Sequence, residues 1–199
     1  MNLALFDFDG TITTRDTFVD FIEFAVSPRR LLLGKLALAP LIAGYRLGRV
    51  RATTIRTAIS RVAFAGTEPG SLCERGRRFA EERIPVLLRD RAMRRLDWHR
   101  EQGDRIVVVS ASLDLYLRHW CKAQAVELIC TEIEVDGTKV TGRYVGGDCT
   151  GAMKRRRILE RYELDSYPVV YAYGDTDEDR EMLDLADKPF FRWREGIDG

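Results

Sequence analysis

The sequence has few of the residues that organise zinc sites and disulfide-rich domains. Its 199 residues include four cysteines and two histidines, and no two cysteines form a Cys-x-x-Cys pair. Structural zinc sites and disulfide frameworks both depend on closely spaced ligands of these kinds. The pattern therefore argues against both, and we expect reduced cysteines in a cytoplasmic protein.

The chain also has almost no net charge and no apolar run long enough to cross a bilayer. The formal net charge is +1, so the composition predicts no nucleic-acid partner. The first residues lack the basic region and apolar core of a signal peptide, and none is expected. The most apolar segment, residues 31–44, is shorter than the roughly 20 residues that a membrane span needs, and Lys35 and Pro40 interrupt it.

The sequence does contain a series of short apolar runs that are typical of buried strands, separated by segments with helical spacing of apolar residues. The predicted strands are residues 3–6, 105–109, 127–131 and 168–173, a strand near Phe190, and a hairpin of residues 133–135 with 139–144. The predicted helices are residues 15–25, 28–44, 53–64, 68–83, 88–102, 113–124, 151–162 and 178–186.

The order of these elements departs from β-α alternation at one place, because about eighty residues of predicted helix separate the first strand from the second. We therefore expect an α/β fold, a doubly wound and mostly parallel Rossmann-like sheet with an inserted α-helical cap and a small β-hairpin. Residues 1–14 and 91–199 would form the core domain, and residues 15–90 the cap domain.

Polar side chains follow three of the predicted strands where each strand ends. Asp7 and Asp9 follow the first strand, Ser110 the second, and Asp175 the strand that begins at Pro168. The carboxyl ends of neighbouring strands in a doubly wound sheet meet at a crevice that binds ligands. Carboxylates, a hydroxyl and the nearby Lys154 suit a phosphate group held by Mg²⁺, which prefers oxygen ligands.

Each of these residues also has a structural interpretation. Asp7 and Asp9 fit an acidic turn after an ordinary strand, and Ser110 or Ser112 fits the cap of the helix predicted from residue 113. Thr176 and Asp179 match the Ser/Thr-x-x-Asp capping pattern. The joint occurrence of these residues in the order that the topology requires favours a functional site.

Four segments resemble the motifs of the haloacid dehalogenase (HAD) superfamily. Asp7-Phe8-Asp9-Gly10-Thr11 resembles the first motif and Val108-Val109-Ser110-Ala111-Ser112 the second, while Lys154 matches the third and Gly174-Asp175 with Asp179 the fourth. The helical insertion is similar to the C1 cap of the phosphoserine phosphatase-like subfamily IB. The Leu-rich cap segment and the Cys149-to-Lys154 segment resemble the phosphatidylglycerophosphatase C branch of that subfamily.

The resemblance implies hydrolysis of a phosphate monoester through a phospho-aspartyl intermediate. Asp7 would be the nucleophile and Asp9 the general acid and base. Asp7, the backbone carbonyl of Asp9 and Asp175 would hold Mg²⁺, and Asp179 would orient a water bound to it.

The resemblance also implies the groups that bind substrate. Ser110 and Lys154, with the backbone N–H groups around Phe8 and Ala111, would bind the phosphoryl oxygens. Asp16 occupies the place of a Glu that engages the substrate amine in phosphoserine phosphatases. Asp16 is one methylene shorter than that Glu, and Glu178 replaces an Asn of the fourth motif, so phosphoserine itself is in doubt.

Three functions remain open from the sequence. The first is a phosphatase acting on a small phosphorylated metabolite such as phosphoserine or a related phosphomonoester. The second is a phosphatase of a phosphorylated lipid, similar to phosphatidylglycerophosphate, at the membrane surface. The third is a catalytically silent module on the same scaffold that binds a phospho-ligand or a membrane.

The leucine-rich segment has two interpretations of its own. We favour a kinked helix buried within the helical cap, because Pro40 interrupts the segment. The alternative is a helix that lies on a membrane surface, because arginines flank the segment through residues 29–51. That alternative would place a cytoplasmic protein at the inner face of the membrane.

Overall fold

The computed structural model describes residues 1–196 and has a seven-stranded sheet at its centre. The strand order across the sheet is β4-β3-β2-β1-β5-β6-β7. The strands are β1 (Leu3–Phe6), β2 (Arg105–Leu113), β3 (Glu127–Asp136), β4 (Lys139–Val145), β5 (Val170–Gly174), β6 (Lys188–Phe191) and β7 (Arg194–Glu195). β4 and β7 pair antiparallel to their neighbours, and the other pairs are parallel.

The first strand lies between the two halves of the sheet. Phe6, the last residue of β1, is level with Val108 of β2 on one side and with Tyr173 of β5 on the other. The chain moves outward in one direction through β2, β3 and β4 and in the other through β5, β6 and β7. The carboxyl end of β1 is therefore the point where the strand order reverses, which is where such sheets bind ligands.

Helices cover both faces of the sheet. They are α1 (Thr17–Ala25), α2 (Pro28–Ala37), α3 (Ala39–Arg46), α4 (Ala52–Phe64), α5 (Pro69–Glu82), α6 (Asp90–Glu101), α7 (Asp114–Ala123), α8 (Ala152–Arg161) and α9 (Arg180–Leu183). The six helices α1 to α6 lie in sequence between β1 and β2. The predicted fold class, a doubly wound α/β sheet with an inserted helical segment and a β3–β4 hairpin, is confirmed.

The alternation of side chains along β1 divides the core into two layers. Phe6 packs with residues of α1, α5, α6 and α7, whereas Leu3 and Leu5 pack with Ile158 of α8 and Met182 of α9. All of these β1 side chains are fully buried. Successive side chains of a strand point to opposite faces, so four apolar residues in a row bury both faces of β1.

The predicted burial of the leucine-rich segment is wrong. The segment forms two helices, α2 and α3, that meet at Leu38 instead of one kinked helix. Gly34 is the only buried residue of α2, and α3 has none. Pro40 lies in the first turn of α3, where its missing N–H leaves no intrahelical bond unmade.

Other differences concern the extent of elements. Residues 127–136 form one continuous strand, β3, where the sequence predicted two. α1 begins at Thr17, because Asp16 is its N-cap. The last predicted helix is shorter, since residues 177–179 form a 3₁₀ turn before α9. β7 was not predicted, and the division into domains at residues 14 and 90 stays a prediction.

Candidate active site

Asp7 and Lys154 form a buried ion pair at the carboxyl end of β1. The Asp7 N–H donates to the carbonyl of Tyr173 in β5, at 2.8 Å, which continues the strand pairing up to the site. Lys154, on the first turn of α8, donates from Nζ to Oδ1 of Asp7 at 2.5 Å. The Lys154 side chain is 1% exposed, so this ammonium is a permanent part of the site.

Asp179 uses its two carboxylate oxygens for different purposes. Oδ1 accepts from Nζ of Lys154 at 2.6 Å. Oδ2 accepts from the N–H and the hydroxyl of Thr176, at 3.0 and 3.1 Å, and from the Asp175 N–H at 3.0 Å. The capping pattern that the sequence shows at these positions is therefore present. The same residue also reaches the ion pair, so its structural role does not exclude a role in the site.

Asp175 completes a cluster of three carboxylates. It follows β5, and its Oδ1 accepts from the hydroxyl of Thr11 at 3.3 Å. One carboxylate oxygen each from Asp7, Asp175 and Asp179 lies within 4.8 Å of the others. The loop after β1 approaches closely, because a Cβ on Gly10 would lie 2.3 Å from Oδ2 of Asp175.

The three carboxylates of this cluster outnumber the two cations that act on it, Lys154 and Arg89. Burial together with the Asp179 charge raises the pKa of Asp7 well above its ordinary value, although Lys154 opposes the shift. Burial and Asp179 also raise the pKa of Asp175. A cation among the three oxygens would offset both costs. The donor set, all carboxylate oxygen, fits a metal ion such as Mg²⁺.

The side chain of Asp9 points into a separate set of hydrogen bonds. Its Oδ1 accepts from the N–H and the hydroxyl of Thr17, at 2.7 and 2.6 Å, and its Oδ2 accepts from the Ser112 hydroxyl. Burial, followed by the charge of Asp16, raises the pKa of Asp9 to about 6, while the donors from Ser112 and Thr17 oppose the shift. The carboxylate of Asp9 is not part of the three-carboxylate cluster, which leaves only its backbone carbonyl as the predicted metal ligand.

Of the residues predicted to bind phosphoryl oxygens, Phe8 follows β1, whereas Ser110 and Ala111 lie within β2, which runs to Leu113 instead of ending at residue 109 as predicted. The Ser110 hydroxyl oxygen accepts from the Ser112 N–H at 3.0 Å, and its own proton has no acceptor among residues 1–196. Neither serine caps α7, whose N-cap is Leu113, so that structural interpretation is wrong. Phe8 is buried, and Ala111 continues β2 between the two serines.

Asp16 lies at the border between the sheet and the helical insertion. Its carboxylate accepts from the Phe18 N–H at 2.7 Å and caps α1. Asp16 also lies close enough to Asp9 to raise the pKa of that carboxyl. Its predicted contact with substrate stays a prediction.

Sequence reasoning missed several residues that hold the site. Thr17 and Tyr116 are joined by a 2.9 Å hydrogen bond between their hydroxyls, behind Asp9. Arg89 donates from Nε to the carbonyls of Gly10 and Thr13, at 3.0 and 2.9 Å, and fixes the loop after β1. No motif surrounds Tyr116 or Arg89, so only the tertiary contacts reveal them. For Thr17 the sequence contains only a weak signal, namely a Thr that directly follows Asp16.

The sheet order and this site define a hydrolase of the haloacid dehalogenase type. The profile of the haloacid dehalogenase-like hydrolases matches residues 4–184. The match covers most of the chain, and the protein belongs to this family.

One curated relative is protein CicA of Caulobacter vibrioides, which is 32% identical over 192 residues. The match covers 96% of this chain and 85% of CicA.

Solved structures show the same fold. A protein of unknown function from Bordetella pertussis Tohama I superposes with a TM-score of 0.77 at 22% identity, over 95% of this chain and 88% of that one. A phosphoserine phosphatase solved as a phospho-aspartyl intermediate analogue gives 0.67 at 15% identity, over 96% and 85%. The chain therefore has the fold of the phosphoserine phosphatases.

Proposed function

We propose that the protein is a Mg²⁺-dependent phosphate monoester hydrolase that acts through a phospho-aspartyl intermediate on Asp7. The observation that carries this proposal is the meeting of Asp7, Lys154, Asp175 and Asp179, from three separate parts of the chain, around one point at the carboxyl end of β1. A nucleophilic carboxylate, a fixed ammonium and further carboxylates are what transfer of a phosphoryl group to the protein needs.

Asp7 is the nucleophile in this proposal. An oxygen of its carboxylate forms a bond to phosphorus while the bond between phosphorus and the substrate alcohol breaks. Lys154 keeps Asp7 in place and offers positive charge to the phosphoryl group. Asp7, Asp175 and the backbone carbonyl of Asp9 would hold Mg²⁺, and Asp179 would orient a water bound to it. The ion would supply positive charge that offsets the repulsion between carboxylate and phosphate.

Asp9 is the general acid in the first half of the reaction and the general base in the second. In its protonated form it donates the proton to the leaving oxygen. As a carboxylate it then takes a proton from the water that attacks phosphorus, which frees Asp7 and restores the protonated Asp9. A pKa of about 6 places both protonation states within reach near neutral pH. The donors from Thr17 and Ser112 hold the carboxylate in one orientation.

The phosphoryl oxygens would be bound by donors that follow β1, lie in the last residues of β2, or lie on α8. The free proton of Ser110, the ammonium of Lys154 and the N–H groups of Phe8 and Ala111 are the candidate donors. Such groups stabilise charge that moves onto the oxygens in the transition state, and the loss of one typically costs about 10²–10³ in rate.

The substrate in this proposal is a small phosphorylated metabolite such as phosphoserine or a related phosphomonoester. A lipid phosphate is the second candidate substrate, and one observation favours it. The helical insertion lines a partly open cavity of about 430 Å³, whose charged lining residues are Asp16, Glu23, Arg30, Lys35, Arg46 and Arg56. Its remaining lining is mainly apolar and comes from α1 to α4, including Phe18, Ile22, Leu31, Leu38, Ile42, Ile55 and Ile59. A cavity of this kind suits an alcohol with an apolar chain.

Release of phosphate from an aryl phosphate tests the proposal. The unmodified protein should show Mg²⁺-dependent turnover, and Asp7→Asn should lower it by more than about 10³-fold. Asp165→Asn, an exposed Asp in a 3₁₀ turn, is the matched control and should keep full activity. Acid-quenched protein should carry a phosphoryl group on Asp7.

The outcomes separate the three candidate functions. Activity that persists in a folded Asp7→Asn protein would remove Asp7 as nucleophile. No turnover by the unmodified protein, across phosphorylated metabolites and lysophospholipids with Mg²⁺, would favour a silent binding module. The ratio of kcat/KM for phosphoserine to that for a lysophosphatidic acid distinguishes the two substrate classes.

A further inference from the structure

Three leucines of α2 project into solvent from a helix whose other side is firmly attached. Leu32, Leu33 and Leu36 are 61%, 57% and 66% exposed, and their spacing places them on one side of the helix. We call these three residues the α2 leucine face. Isolated exposed leucines are common on proteins. Adjacent exposed leucines on one helix turn instead form an apolar patch, and such patches are typical of surfaces that bind a membrane or another protein.

The opposite side of α2 is held against α4, so the helix cannot turn the leucines inward. Gly34 is buried there, and a Cβ on it would lie 2.9 Å from Val62. Arg30 donates to the carbonyls of Val62 and Ala65, at 2.8 and 2.6 Å. The exposure of the leucines is therefore a fixed property of the fold.

The charged residues of the segment that carries this face are all basic, and the acidic residue at its border, Glu23 of α1, is paired with Lys35 of α2 at 3.2 Å. Residues 24–67 contain eight Lys and Arg and no Asp or Glu, while the other 24 basic and 31 acidic residues of the chain sum to −7. Arg29, Arg46, Arg49 and Arg51 are exposed and form no ion pair with any residue of the range 1–196. Arg29 lies one helical turn before Leu32 and Leu33, and Arg46 and Arg49 flank Leu47, which is 68% exposed. Cations without a counter-charge accordingly border exposed apolar side chains.

We propose that α2 and the arginines around it dock the protein on the surface of a bilayer that contains anionic lipids. The leucines would enter the boundary between headgroups and acyl chains, and the arginines would contact the phosphate groups. The contact that we propose is peripheral. Across residues 1–196 no helix is long and apolar enough to traverse a membrane.

A bilayer fits this surface better than a second copy of the chain. Two copies that paired through the same face would bring unpaired arginines against arginines, and that repulsion opposes a symmetric dimer. A layer of anionic headgroups supplies opposite charge at every arginine, whatever the spacing of the arginines. This docking does not depend on the proposed phosphatase activity.

Co-sedimentation of the full chain with vesicles tests the docking. We expect the protein to bind vesicles of equal parts phosphatidylglycerol and phosphatidylcholine at least about tenfold more strongly than phosphatidylcholine alone, and added NaCl should weaken the binding. Absence of binding to the anionic vesicles, or equal binding to both kinds, would overturn the proposal.

Two pairs of variants assign the binding to this surface. Leu32→Gln/Leu36→Gln should lower the affinity on the order of tenfold, and the control Val86→Gln/Leu159→Gln, which changes two other exposed apolar residues, should not. Arg46→Gln/Arg49→Gln should also lower it on the order of tenfold. Its control of equal charge, Arg94→Gln/Arg155→Gln, should have a smaller effect.

Folding and self-association are measured on the same samples. All these side chains are exposed, so the circular dichroism and thermal midpoint should match the unmodified protein. If the leucine variant does unfold, the arginine pair decides the outcome. Gel filtration that shows a dimer which Leu32→Gln/Leu36→Gln disrupts, together with no vesicle binding, would assign the face to a second copy and refute the proposal.

Discussion

The N–H and the hydroxyl of Thr17 both donate to the same oxygen of Asp9, at 2.7 and 2.6 Å. Thr17 is the first residue of α1, whereas Asp9 belongs to the loop after β1. The start of the helical insertion is thus bonded directly to the proposed acid-base group. Changes at the start of α1 should therefore alter the pKa of Asp9 without touching the nucleophile.

Asp16→Asn should lower the pKa of Asp9 below about 6, because the negative charge of Asp16 helps to raise it. Asn is as good an N-cap as Asp, so α1 should keep its stability. Asp9 would then lose its proton at a lower pH, and the alkaline limb of the pH profile of kcat/KM should move to lower pH. The shift should shrink in high salt, because Asp16 is exposed.

The control for this prediction is Asp20→Asn, which removes a charge one turn further along α1, where Asp20 pairs with Arg15. Its alkaline limb should stay in place. A limb that moves to higher pH in Asp16→Asn would contradict the electrostatic argument.

Thr17→Val should have the opposite effect on the same profile. The Thr17 hydroxyl stabilises the charged form of Asp9 by a hydrogen bond, so its loss raises the pKa of Asp9. We expect the alkaline limb to move up by about one pH unit, in line with the strength of a hydrogen bond to a charged group. Thr14→Val, at an exposed position three residues earlier, is the matched control. An unchanged limb would mean that the Thr17 hydroxyl does not contribute to the pKa of Asp9.

Asp175→Asn should stabilise the protein when no metal is present. Burial and the charge of Asp179 raise the pKa of Asp175. Ionisation of such a group costs folding free energy at every pH above its unfolded pKa, near 3.9. At pH 7 in a chelator, the thermal midpoint of Asp175→Asn should exceed that of the unmodified protein by about 2–4 °C, and the difference should disappear as the pH falls below 4.

In the presence of Mg²⁺ the unmodified protein should have a higher thermal midpoint than Asp175→Asn. A ligand that binds only the folded state raises the thermal midpoint, and Asp175→Asn should lose most of that rise because it removes one of the three clustered carboxylates. Asp177→Asn changes an exposed Asp in the same loop and should respond to Mg²⁺ as the unmodified protein does. Equal rises in all three proteins would argue against a metal site at Asp175.

Gly76→Ala should destabilise the protein, whereas Gly34→Ala should be close to neutral. A Cβ at Gly76, in α5, would lie 2.0 Å from the backbone carbonyl of Leu115 in α7, so the two helices would have to separate. We expect a loss of about 1–3 kcal/mol in urea unfolding. At Gly34 the neighbour is a side-chain methyl of Val62 at 2.9 Å, which has to shift, and this cost is offset because Ala is the better helix former by about 1 kcal/mol. Equal effects would contradict the contact at Leu115.

Most of the fold could be predicted from local patterns. The apolar runs that became β1, β2 and β5 are buried on both faces, and such strands carry their signal in consecutive residues. The extent of β3 was missed because Glu132 and Glu134 lie on its exposed or half-buried positions, and polar residues in one half of a strand resemble the end of it.

The environment of α2 could not be predicted in the same way. A leucine-rich helix has the same composition whether it is buried or exposed, and the outcome depends on what packs against it. Here α4 occupies only the side of α2 that carries Gly34, and nothing within residues 1–196 covers the leucines. Local hydrophobicity therefore predicted burial where the fold supplies no partner.

The amino-acid sequence by itself determined that strands form at β1, β2 and β5, that Asp7 follows β1 and Asp175 follows β5, and that a hydroxyl and a lysine come near them in chain order, whereas it placed the end of β2 four residues too early. The formation of a strand by an apolar run depends on residues that are neighbours in the sequence, so the sequence alone predicts it. The tertiary structure alone decided that Asp9 turns away from Asp7 toward Thr17 and Ser112, and that Lys154 lies between Asp7 and Asp179. Those arrangements depend on burial and charge between groups that are distant in the chain, and only the packed fold brings them within reach of each other.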